Sequence, residues 1–178
     1  ILEIDNSVLV IDPGDDADKI IDFIGDRMVV GIIVTHYHFD HIRGLDKLTE
    51  LLSEDAIVYL PKDFNGYLDG SDNIDELNGI RNNVLSSLRG NGVKYIEINT
   101  DTIVSFGELT VKVLNSDTDS YSYYKSIKVG YNAFSMNCLV SLGNTKVLFP
   151  GDSNQYTQDY LVSSNKVEKV NVYASNHH

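Results

Sequence analysis

The segment VVGIIVTHYHFDHIRG, residues 29–44, joins a continuous apolar run to a loop that is rich in histidine. The run from Val29 to Val34 has the length of a strand and no polar residue, which is typical of a central strand buried on both faces. The loop that follows holds three of the five histidines of the chain together with an aspartate: His36, His38, Asp40 and His41. The segment therefore predicts a buried strand that delivers several ionisable side chains to one edge of a sheet.

The rest of the chain alternates between strand-like and helix-like patterns, with no internal repeat and no low-complexity linker. Strand patterns lie at 1–12, as two strands around a turn, and at 56–61, 93–98, 102–114, 137–152 and 170–175. Helical spacing of apolar residues occurs at 18–24, 45–52 and 72–88. Residues 116–130 are polar and rich in tyrosine, and predict a long loop. This order predicts an α/β fold with helices packed on mixed sheets, in a single domain that covers residues 1–178.

Composition excludes several classes of protein. The net charge is −12, and an acidic surface repels polyanions, so nucleic acid is disfavoured as a partner. No apolar run approaches the roughly 18 residues that a membrane-spanning helix needs, and no signal peptide pattern is present. The chain starts inside a strand pattern and stops directly after His177 and His178, so we expect the domain to be incomplete at its termini.

The histidine loop has the spacing of a metal site. His36 and His38 are two residues apart, so in an extended segment their side chains point to the same side. Asp40 and His41 follow on a turn and supply a second pair of ligands. Imidazole and carboxylate without thiolate suit zinc, with manganese or iron also possible. A surface loop that is rich in histidine by chance is the alternative, and this spacing disfavours it.

A second cluster of candidate ligands lies near the end of the chain. Asp152 follows the strand pattern that ends in FPGD, and the carboxyl ends of strands are where sites of α/β proteins tend to lie. His177 and His178 follow the last strand pattern in the same way. An aspartate after glycine is usually a turn residue, but beside the histidine loop a carboxylate that bridges two metals is the better interpretation.

Three motifs carry a resemblance to a known family. The stretch THYHFDHIRG, residues 35–44, resembles the HxHxDH signature of the metallo-β-lactamase superfamily. The stretches VLVIDPG, residues 8–14, and VLFPGD, residues 147–152, are similar to its Asp-x-Gly loop and to its bridging-aspartate segment. The resemblance implies an αββα sandwich of mixed sheets flanked by helices. It also implies a hydrolase with two zinc ions, for which Mn²⁺ or Fe are alternatives.

Within that superfamily, two groups are the most similar in pattern. The ending SNHH and the segment at 137–152 resemble the metal-binding domain of competence proteins and the teichoic-acid phosphorylcholine esterases. The usual middle histidine ligand is absent, and Ser135-Met136-Asn137 stand in its place. This departure disfavours antibiotic hydrolysis and implies that one metal is held more weakly.

The resemblance also implies roles for individual residues. His36 and His38 would hold one metal, while Asp40 and His41 would hold the other together with His177 or His178, and Asp152 would bridge the two. Which terminal histidine binds the metal stays open. The other, taken as His178, would face the substrate and act in catalysis with Asp40 and Asp152.

Four further residues have expected roles outside the set of metal ligands. Asp12 is expected behind the ligands, where it would fix the loop backbone or an imidazole N–H. Asn137 would be either an oxyanion donor or a cap at the end of a strand. Tyr123 and Tyr124, in the tyrosine-rich segment, would bind a quaternary ammonium group through their rings. Packing of these rings on the sheet is the alternative.

The function implied is hydrolysis of a phosphodiester. A dinuclear centre would neutralise charge that develops on phosphoryl oxygens, so an anionic substrate can bind an acidic protein. The substrate would be a small or cell-envelope phosphodiester, such as a phosphorylcholine ester, and we expect an extracellular or cell-surface location rather than a cytoplasmic one. The alternatives are a thioester or lactone hydrolase, or a non-catalytic metal-binding domain of a larger surface or channel protein.

Overall fold

The computed structural model describes residues 1–68 and 73–174, which fall into two compact units. Unit 1 comprises Ile1–Leu60 and Asp75–Glu97, and unit 2 comprises Pro61–Ile74 and Ile98–His178. The chain therefore passes from one unit to the other three times. The single domain expected for residues 1–178 stays a prediction.

The first sheet has five strands in their order along the chain. They are β1 (Leu2–Ile4), β2 (Ser7–Ile11), β3 (Met28–Ile33), β4 (Leu52–Pro61) and β5 (Tyr95–Ile98). β1 pairs antiparallel with β2, whereas β2, β3 and β4 pair in parallel. Val29, Ile32 and Ile33 of β3 have no exposed surface, so the predicted buried central strand is confirmed.

Four helices accompany the first sheet: α1 (Ala17–Ile24), α2 (Phe39–Ile42), α3 (Leu45–Thr49) and α4 (Ile74–Gly90). The predicted helices at 18–24 and 72–88 are confirmed, although residue 72 lies outside the described residues. The helix predicted at 45–52 ends at Thr49, because Leu52 already pairs with Val29 of β3. β4 thus starts four residues before the predicted position 56. The polar residues 53–55 at its start do not continue the apolar run, so the sequence pattern did not indicate them as part of the strand.

The second sheet has the order β10-β9-β8-β7-β6. Its strands are β6 (Ile103–Phe106), β7 (Leu109–Val113), β8 (Cys138–Leu142), β9 (Thr145–Phe149) and β10 (Val172–Tyr173). Neighbours from β6 to β9 are antiparallel, and β10 pairs with β9 in parallel. Both predicted hairpins are confirmed. The second turns at Gly143, whose φ of 55° favours glycine.

The loop predicted at 116–130 is wrong, because most of this segment is α5 (Thr118–Ser126). Asp117 caps the helix by accepting a hydrogen bond from the N–H of Ser120, and the hydroxyl of Ser120 completes a capping box. The buried face of α5 is formed by Ser120, Tyr121 and Tyr124 instead of aliphatic residues. Composition alone suggested a loop since these side chains look polar in the sequence.

One further helix follows the second hairpin. α6 (Gln155–Ser163) is capped by the side chain of Asn154 and was not predicted. Two short 3-10 helices lie at Asn65–Tyr67 and Tyr131–Phe134. Both sheets mix parallel and antiparallel strands and are flanked by helices, so the predicted α/β fold class is confirmed. Within residues 1–68 and 73–174, no helix has the length and apolar character needed to cross a membrane.

Candidate metal centre

Two neighbouring strands carry the start of the site in unit 1. β2 and β3 are parallel, and Ile11 pairs with Ile33, so both strands end at the same edge of the sheet. The N–H of Asp12 donates to the carbonyl of Ile33 at 2.9 Å. The sheet register therefore brings Asp12, which follows β2, next to the loop that follows β3.

The carboxylate of Asp12 holds that loop. Its Oδ1 accepts from the N–H of Thr35 at 2.7 Å, and its Oδ2 accepts from the hydroxyl of Thr35 at 2.6 Å. The same Oδ2 lies 2.9 Å from Nδ1 of His41. Asp12 thus contacts both the loop backbone and an imidazole, the two kinds of partner predicted for it. Its φ of 48° is in the left-handed region, which short polar side chains tolerate better than most.

The turn from His41 to Gly44, which follows the histidine loop, packs against residues 12–14. The N–H of Gly14 donates to the carbonyl of His41 at 3.2 Å, and the N–H of Gly44 donates to the carbonyl of Gly14 at 2.6 Å. A Cβ atom on Gly44 would lie 2.9 Å from the carbonyl oxygen of Pro13 and 3.0 Å from that of Gly14. Only glycine fits there, and this close approach sets the position of α2 and of the side chains it carries.

The structure brings the predicted loop donors together within unit 1. The ring centroid of His36 lies 4.7 Å from that of His38 and 4.1 Å from that of His41. Asp40 is exposed, and its Oδ2 lies 3.7 Å from Nε2 of His41. His36 is fully buried, while His38 and His41 are half-buried. An open metal site requires ligands that are held inside the protein on one side and are accessible to solvent on the other.

The donor set fits a metal ion. Asp12, His36 and His41 each offer one ligand atom, and these atoms all lie within 4.8 Å of one another. Imidazole nitrogens and carboxylate oxygens suit zinc and other first-row divalent metals. This part of the chain thus has a His/Asp cluster that could hold a metal, although its chemistry does not select one of these metals. The predicted ligand set differs from this cluster, because it includes Asp40 and leaves Asp12 behind the ligands, and it stays a prediction.

Asp152 lies in unit 2, at the end of β9. The chain turns through Pro150 and Gly151, whose φ is 56°, and leaves Asp152 only 5% exposed. The N–H of Asp152 donates to the hydroxyl oxygen of Ser135 at 3.2 Å. Burying a carboxylate costs free energy unless donors or cations stabilise it, so this position is chemically unusual for a simple turn.

Asn137 belongs to a buried polar network in unit 2. Its Nδ2 donates to the carbonyl of Ser135 at 3.1 Å, and its Oδ1 accepts from the hydroxyl of Ser153 at 3.3 Å. Its N–H donates to Oδ1 of Asn115 at 2.7 Å. Of the two roles left open for Asn137, these contacts favour the structural one at the start of β8. Through Ser135 and Ser153, the network also supports the Asp152 turn.

The tyrosines of α5 pack within unit 2. Tyr124 has no exposed surface, its hydroxyl accepts from Nδ2 of Asn115 at 3.3 Å, and burial raises its pKa. This burial favours packing over contact with a cation for Tyr124, whose predicted role in substrate binding stays a prediction. Tyr123 is half-buried and stacks on Tyr160 with centroids 5.0 Å apart. The packing alternative therefore describes Tyr124 and accounts for one face of Tyr123.

The terminal ligands His177 and His178 lie outside the described residues, and their role stays a prediction. Sequence reasoning missed Thr35, which joins Asp12 to the loop, as well as Asn115 and the serines of the unit 2 network. The only signal for Thr35 was its place directly before His36. Asn115 had none, since its partners are distant in the chain.

Comparison with known sequences identifies related proteins. The model of the metallo-beta-lactamase superfamily matches residues 1–123. Hydroxyacylglutathione hydrolase of Psychromonas ingrahamii is 25% identical over 167 residues, which cover 92% of this chain and 62% of that protein. The protein of the same name from Saccharophagus degradans is 33% identical over 84 residues, 42% of this chain and 30% of that protein. The chain thus spans less than two thirds of the length of these relatives.

Comparison with solved structures identifies a shared fold. The metallo-beta-lactamase fold protein YhfI from Bacillus subtilis superposes with a TM-score of 0.58 at 15% identity. The match covers 96% of this chain and 59% of that protein. At this identity, the likeness shows the fold alone.

Proposed function

Because this chain belongs to the metallo-β-lactamase superfamily, we propose that it is a metal-dependent hydrolase whose centre is built on the loop from His36 to His41. The family model covers more than half of the chain, so the superfamily resemblance is confirmed. The observation that carries the proposal is the grouping of three imidazoles on this loop, with the ring centroid of His36 4.7 Å from that of His38 and 4.1 Å from that of His41. The closer resemblance to competence proteins and phosphorylcholine esterases remains a proposal.

The proposed ligands divide between two metal positions. His36 and His38 would bind one ion, Asp40 and His41 would bind the other with His177 or His178, and Asp152 would bridge them. The burial of Asp152 supports its assignment, since a cation would offset the free energy of burying the carboxylate. Asp12 would orient imidazoles rather than bind metal, because its oxygens already accept hydrogen bonds from Thr35.

A divalent cation at this centre would act as a Lewis acid and would lower the pKa of water to about 7. Asp40, whose side chain is 59% exposed, would orient the attacking water by accepting a hydrogen bond at Oδ2. His178 would donate a proton to the leaving group from a ring nitrogen. Asp152 would keep the two positions at a fixed separation because its two oxygens belong to one rigid carboxylate.

We propose a small or cell-envelope phosphodiester as the substrate. The support is the missing middle histidine, since no histidine lies between His41 and His177. In its place stand Ser135, Met136 and Asn137, all buried and neutral, and the amide of Asn137 is engaged within the protein. A metal with fewer protein ligands keeps positions for substrate oxygens, and a phosphodiester offers two non-bridging oxygens that share one negative charge.

Thioester hydrolysis is the second candidate. It is favoured by the names of the relatives, since the hydroxyacylglutathione hydrolase of Psychromonas ingrahamii aligns with 92% of this chain. The same missing histidine disfavours it. The first candidate, a cell-envelope phosphodiester, would place the protein outside the cytoplasm. Cell fractionation with an antibody to the chain would test this location.

Metal analysis joined to a substrate panel tests the proposal. The purified chain is loaded with zinc, manganese or iron and assayed on bis(p-nitrophenyl) phosphate, p-nitrophenylphosphorylcholine, p-nitrophenyl phosphate, a glutathione thioester and a lactone. We expect about two metals per chain and the highest kcat/KM on a phosphodiester. A higher kcat/KM on the thioester or lactone would reject phosphodiesterase activity in favour of the second candidate. Bound metal without turnover of any substrate would indicate a non-catalytic metal-binding domain.

A further inference from the structure

We infer that Asn115 is a positioning residue for Asp152, because its buried amide holds the segment 135–137 and two serine hydroxyls join that segment to the turn at Asp152. The inference rests on the proposed function, in which Asp152 binds metal. It deepens that function by assigning what holds this carboxylate in place before a metal binds. All of these residues lie in unit 2.

The register of the second sheet places the parts of this network side by side. Val113 at the end of β7 pairs with Cys138 at the start of β8, and Cys138 pairs with Phe149 at the end of β9. β7 therefore ends, β8 starts and β9 ends at the same edge of the sheet. Asn115 follows β7 there, the segment 135–137 precedes β8, and the turn after β9 completes the row.

The amide of Asn115 uses all of its hydrogen-bonding capacity. Its Nδ2 donates to the carbonyl of Ser135 at 2.9 Å and to the hydroxyl of Tyr124 at 3.3 Å. Its Oδ1 accepts from the N–H of Asn137 at 2.7 Å and from Nδ2 of Asn137 at 3.4 Å. A side-chain amide has two donor hydrogens and an oxygen with two lone pairs, so every position is occupied. Rotation of the amide by half a turn would place donors against donors, and its orientation is therefore fixed.

Two hydroxyls connect the segment 135–137 to the turn after β9. The N–H of Asp152 donates to Oγ of Ser135 at 3.2 Å, and Oγ of Ser153 donates to Oδ1 of Asn137 at 3.3 Å. Asn115 and the three polar residues that it reaches through these bonds are at most 1% exposed, so water does not compete strongly for them. The backbone of Asp152 is thus tied to the segment that Asn115 holds, which sets the direction in which its carboxylate leaves the chain.

This edge of unit 2 is held by protein hydrogen bonds rather than by a metal. The segment 135–137 contains no histidine, so no imidazole within it can bind an ion and be anchored in that way. The amide of Asn115 provides the anchor instead, through three bonds to the segment. A metal ligand that is already in place binds without an ordering cost, and loss of a partner that orients a ligand commonly lowers metal affinity by about 10-fold to 100-fold. Asn115 should therefore raise metal affinity without contacting the metal.

Hydrogen exchange, measured by nuclear magnetic resonance on the metal-free 178-residue chain, tests the network. In the wild type we expect slow exchange of the N–H groups of Asn137 and Asp152. Asn115→Leu keeps the shape of the side chain and removes its bonds to the segment 135–137. The two N–H groups should then exchange at least about 5-fold faster relative to the N–H groups of β7. Exchange of the Asp152 N–H at the rate of an unstructured peptide in the wild type would overturn the inference without any variant.

Thr157→Val is the matched control for the loss of a buried hydrogen bond in unit 2. The hydroxyl of Thr157 has no exposed surface and donates to the carbonyl of Ala133 at 3.0 Å, outside the segment 135–137. This variant should speed exchange throughout unit 2 without a selective effect on the two N–H groups. The same uniform pattern in Asn115→Leu would assign Asn115 to general stability only. If Asn115→Leu does not fold, Asn115→Ser, which leaves room for water at the polar groups of the segment, gives the same test.

Ser135→Ala tests the connection to the turn. It removes the acceptor of the Asp152 N–H and should speed the exchange of that group selectively. If Asn115 acts on Asp152 through Ser135, the double variant Asn115→Leu, Ser135→Ala should exchange at Asp152 little faster than Ser135→Ala alone, because residues in one network are not additive. Fully additive effects would contradict the connection.

Competition for zinc with a chromophoric chelator gives the second readout. We expect Asn115→Leu to weaken zinc binding by about 10-fold or more and Thr157→Val to keep the affinity of the wild type. Unchanged zinc affinity in Asn115→Leu, despite faster exchange at Asp152, would overturn the positioning role. The two hypotheses fail separately, because exchange is measured without metal or substrate. A wild type that binds no zinc would reject the proposed function and leave the exchange result standing.

Discussion

Gly44 shows how a residue without a side chain can position a metal loop. The carbonyl oxygens of Pro13 and Gly14 approach it so closely that a Cβ atom would lie 2.9 and 3.0 Å from them. Both oxygens belong to the backbone, so neither can swing away as a flexible side chain would. The clash of an added methyl with these oxygens would therefore displace either the segment that contains Asp12 or the turn that contains His41.

We therefore expect Gly44→Ala to lower the free energy of unfolding by about 1–3 kcal/mol, the usual effect of overpacking. It should also weaken zinc binding, because the loop ligands move. Gly79→Ala, within α4, is the control for an added methyl without a clash, since a Cβ at Gly79 meets nothing within 4 Å, and it should raise the free energy of unfolding by about 0.5–1 kcal/mol because alanine suits a helix better than glycine. Urea unfolding and zinc titration of both variants measure the effects. Wild-type stability and zinc affinity in Gly44→Ala would show that the turn has room to adapt.

Asp152→Asn tests the proposed bridging carboxylate. The change is isosteric and lies at the end of a strand, so far-ultraviolet circular dichroism should match that of the wild type. A neutral amide cannot hold two cations together, so kcat should fall by about 10²-fold or more and one metal should be lost. Asp159→Asn, at an exposed position of α6, is the control. Full activity and two metals in Asp152→Asn would remove the dinuclear mechanism.

At the scale of elements, α5 depends on an acidic cap. Burial alone would raise the pKa of Asp117, but hydrogen bonds from the N–H of Ser120, from Lys166 and from Thr100 lower it from about 3.8 to about 2. Nζ of Lys166 lies 2.9 Å from Oδ2 of Asp117. Because the pKa is lower in the folded state, the carboxylate stabilises the fold above pH 4, and this contribution is lost as the pH falls towards 2.

We expect Asp117→Asn to reduce the free energy of unfolding by about 1 kcal/mol at pH 7, since the carboxylate is only partly shielded from solvent. The difference from wild type should shrink between pH 4 and pH 2 and vanish below. Asparagine still caps helices, whereas Asp117→Ala should cost about 1 kcal/mol more at every pH. Urea unfolding at pH 2, 3, 4 and 7 measures these differences. A difference between wild type and Asp117→Asn that stays constant with pH would contradict the assignment of the charge.

How well the elements could be predicted depended on where their stabilising contacts lie. β3 and the hairpins were predictable because apolar residues follow one another or alternate along the chain. α5 and α6 were not, since the buried residues of α6 are only Thr157 and Leu161 and those of α5 are Ser120, Tyr121 and Tyr124. The loop donors were predictable from local spacing. The contact of Thr35 with Asp12, 23 residues away, depends on strand register, which no local pattern contains.

For the whole molecule, the three passages of the chain between the units favour a single cooperative domain. Three tyrosines lie in unit 1 (Tyr37, Tyr59 and Tyr95), and the other eight of the eleven belong to unit 2. Tyrosine signals thus report mainly on unit 2, whereas far-ultraviolet circular dichroism reports on both units. We expect the two urea transitions to coincide, because neither unit is a continuous segment of the chain. Separate midpoints would divide the chain into two domains.

The parallel pairing of β2 and β3 also has a consequence for the order of folding. The crossover through α1 joins Asp12 to the histidine loop within one β-α-β segment, so this part of the centre requires the closure of only a short loop. Asp152, the proposed bridge, follows His41 by more than a hundred residues, and closing so long a loop costs more entropy, so we expect Asp152 to join the centre after the transition state. Contacts made after the transition state affect the unfolding rate rather than the folding rate. Bound zinc should therefore lower the unfolding rate and prolong the lifetime of the native state, while the folding rate stays almost unchanged.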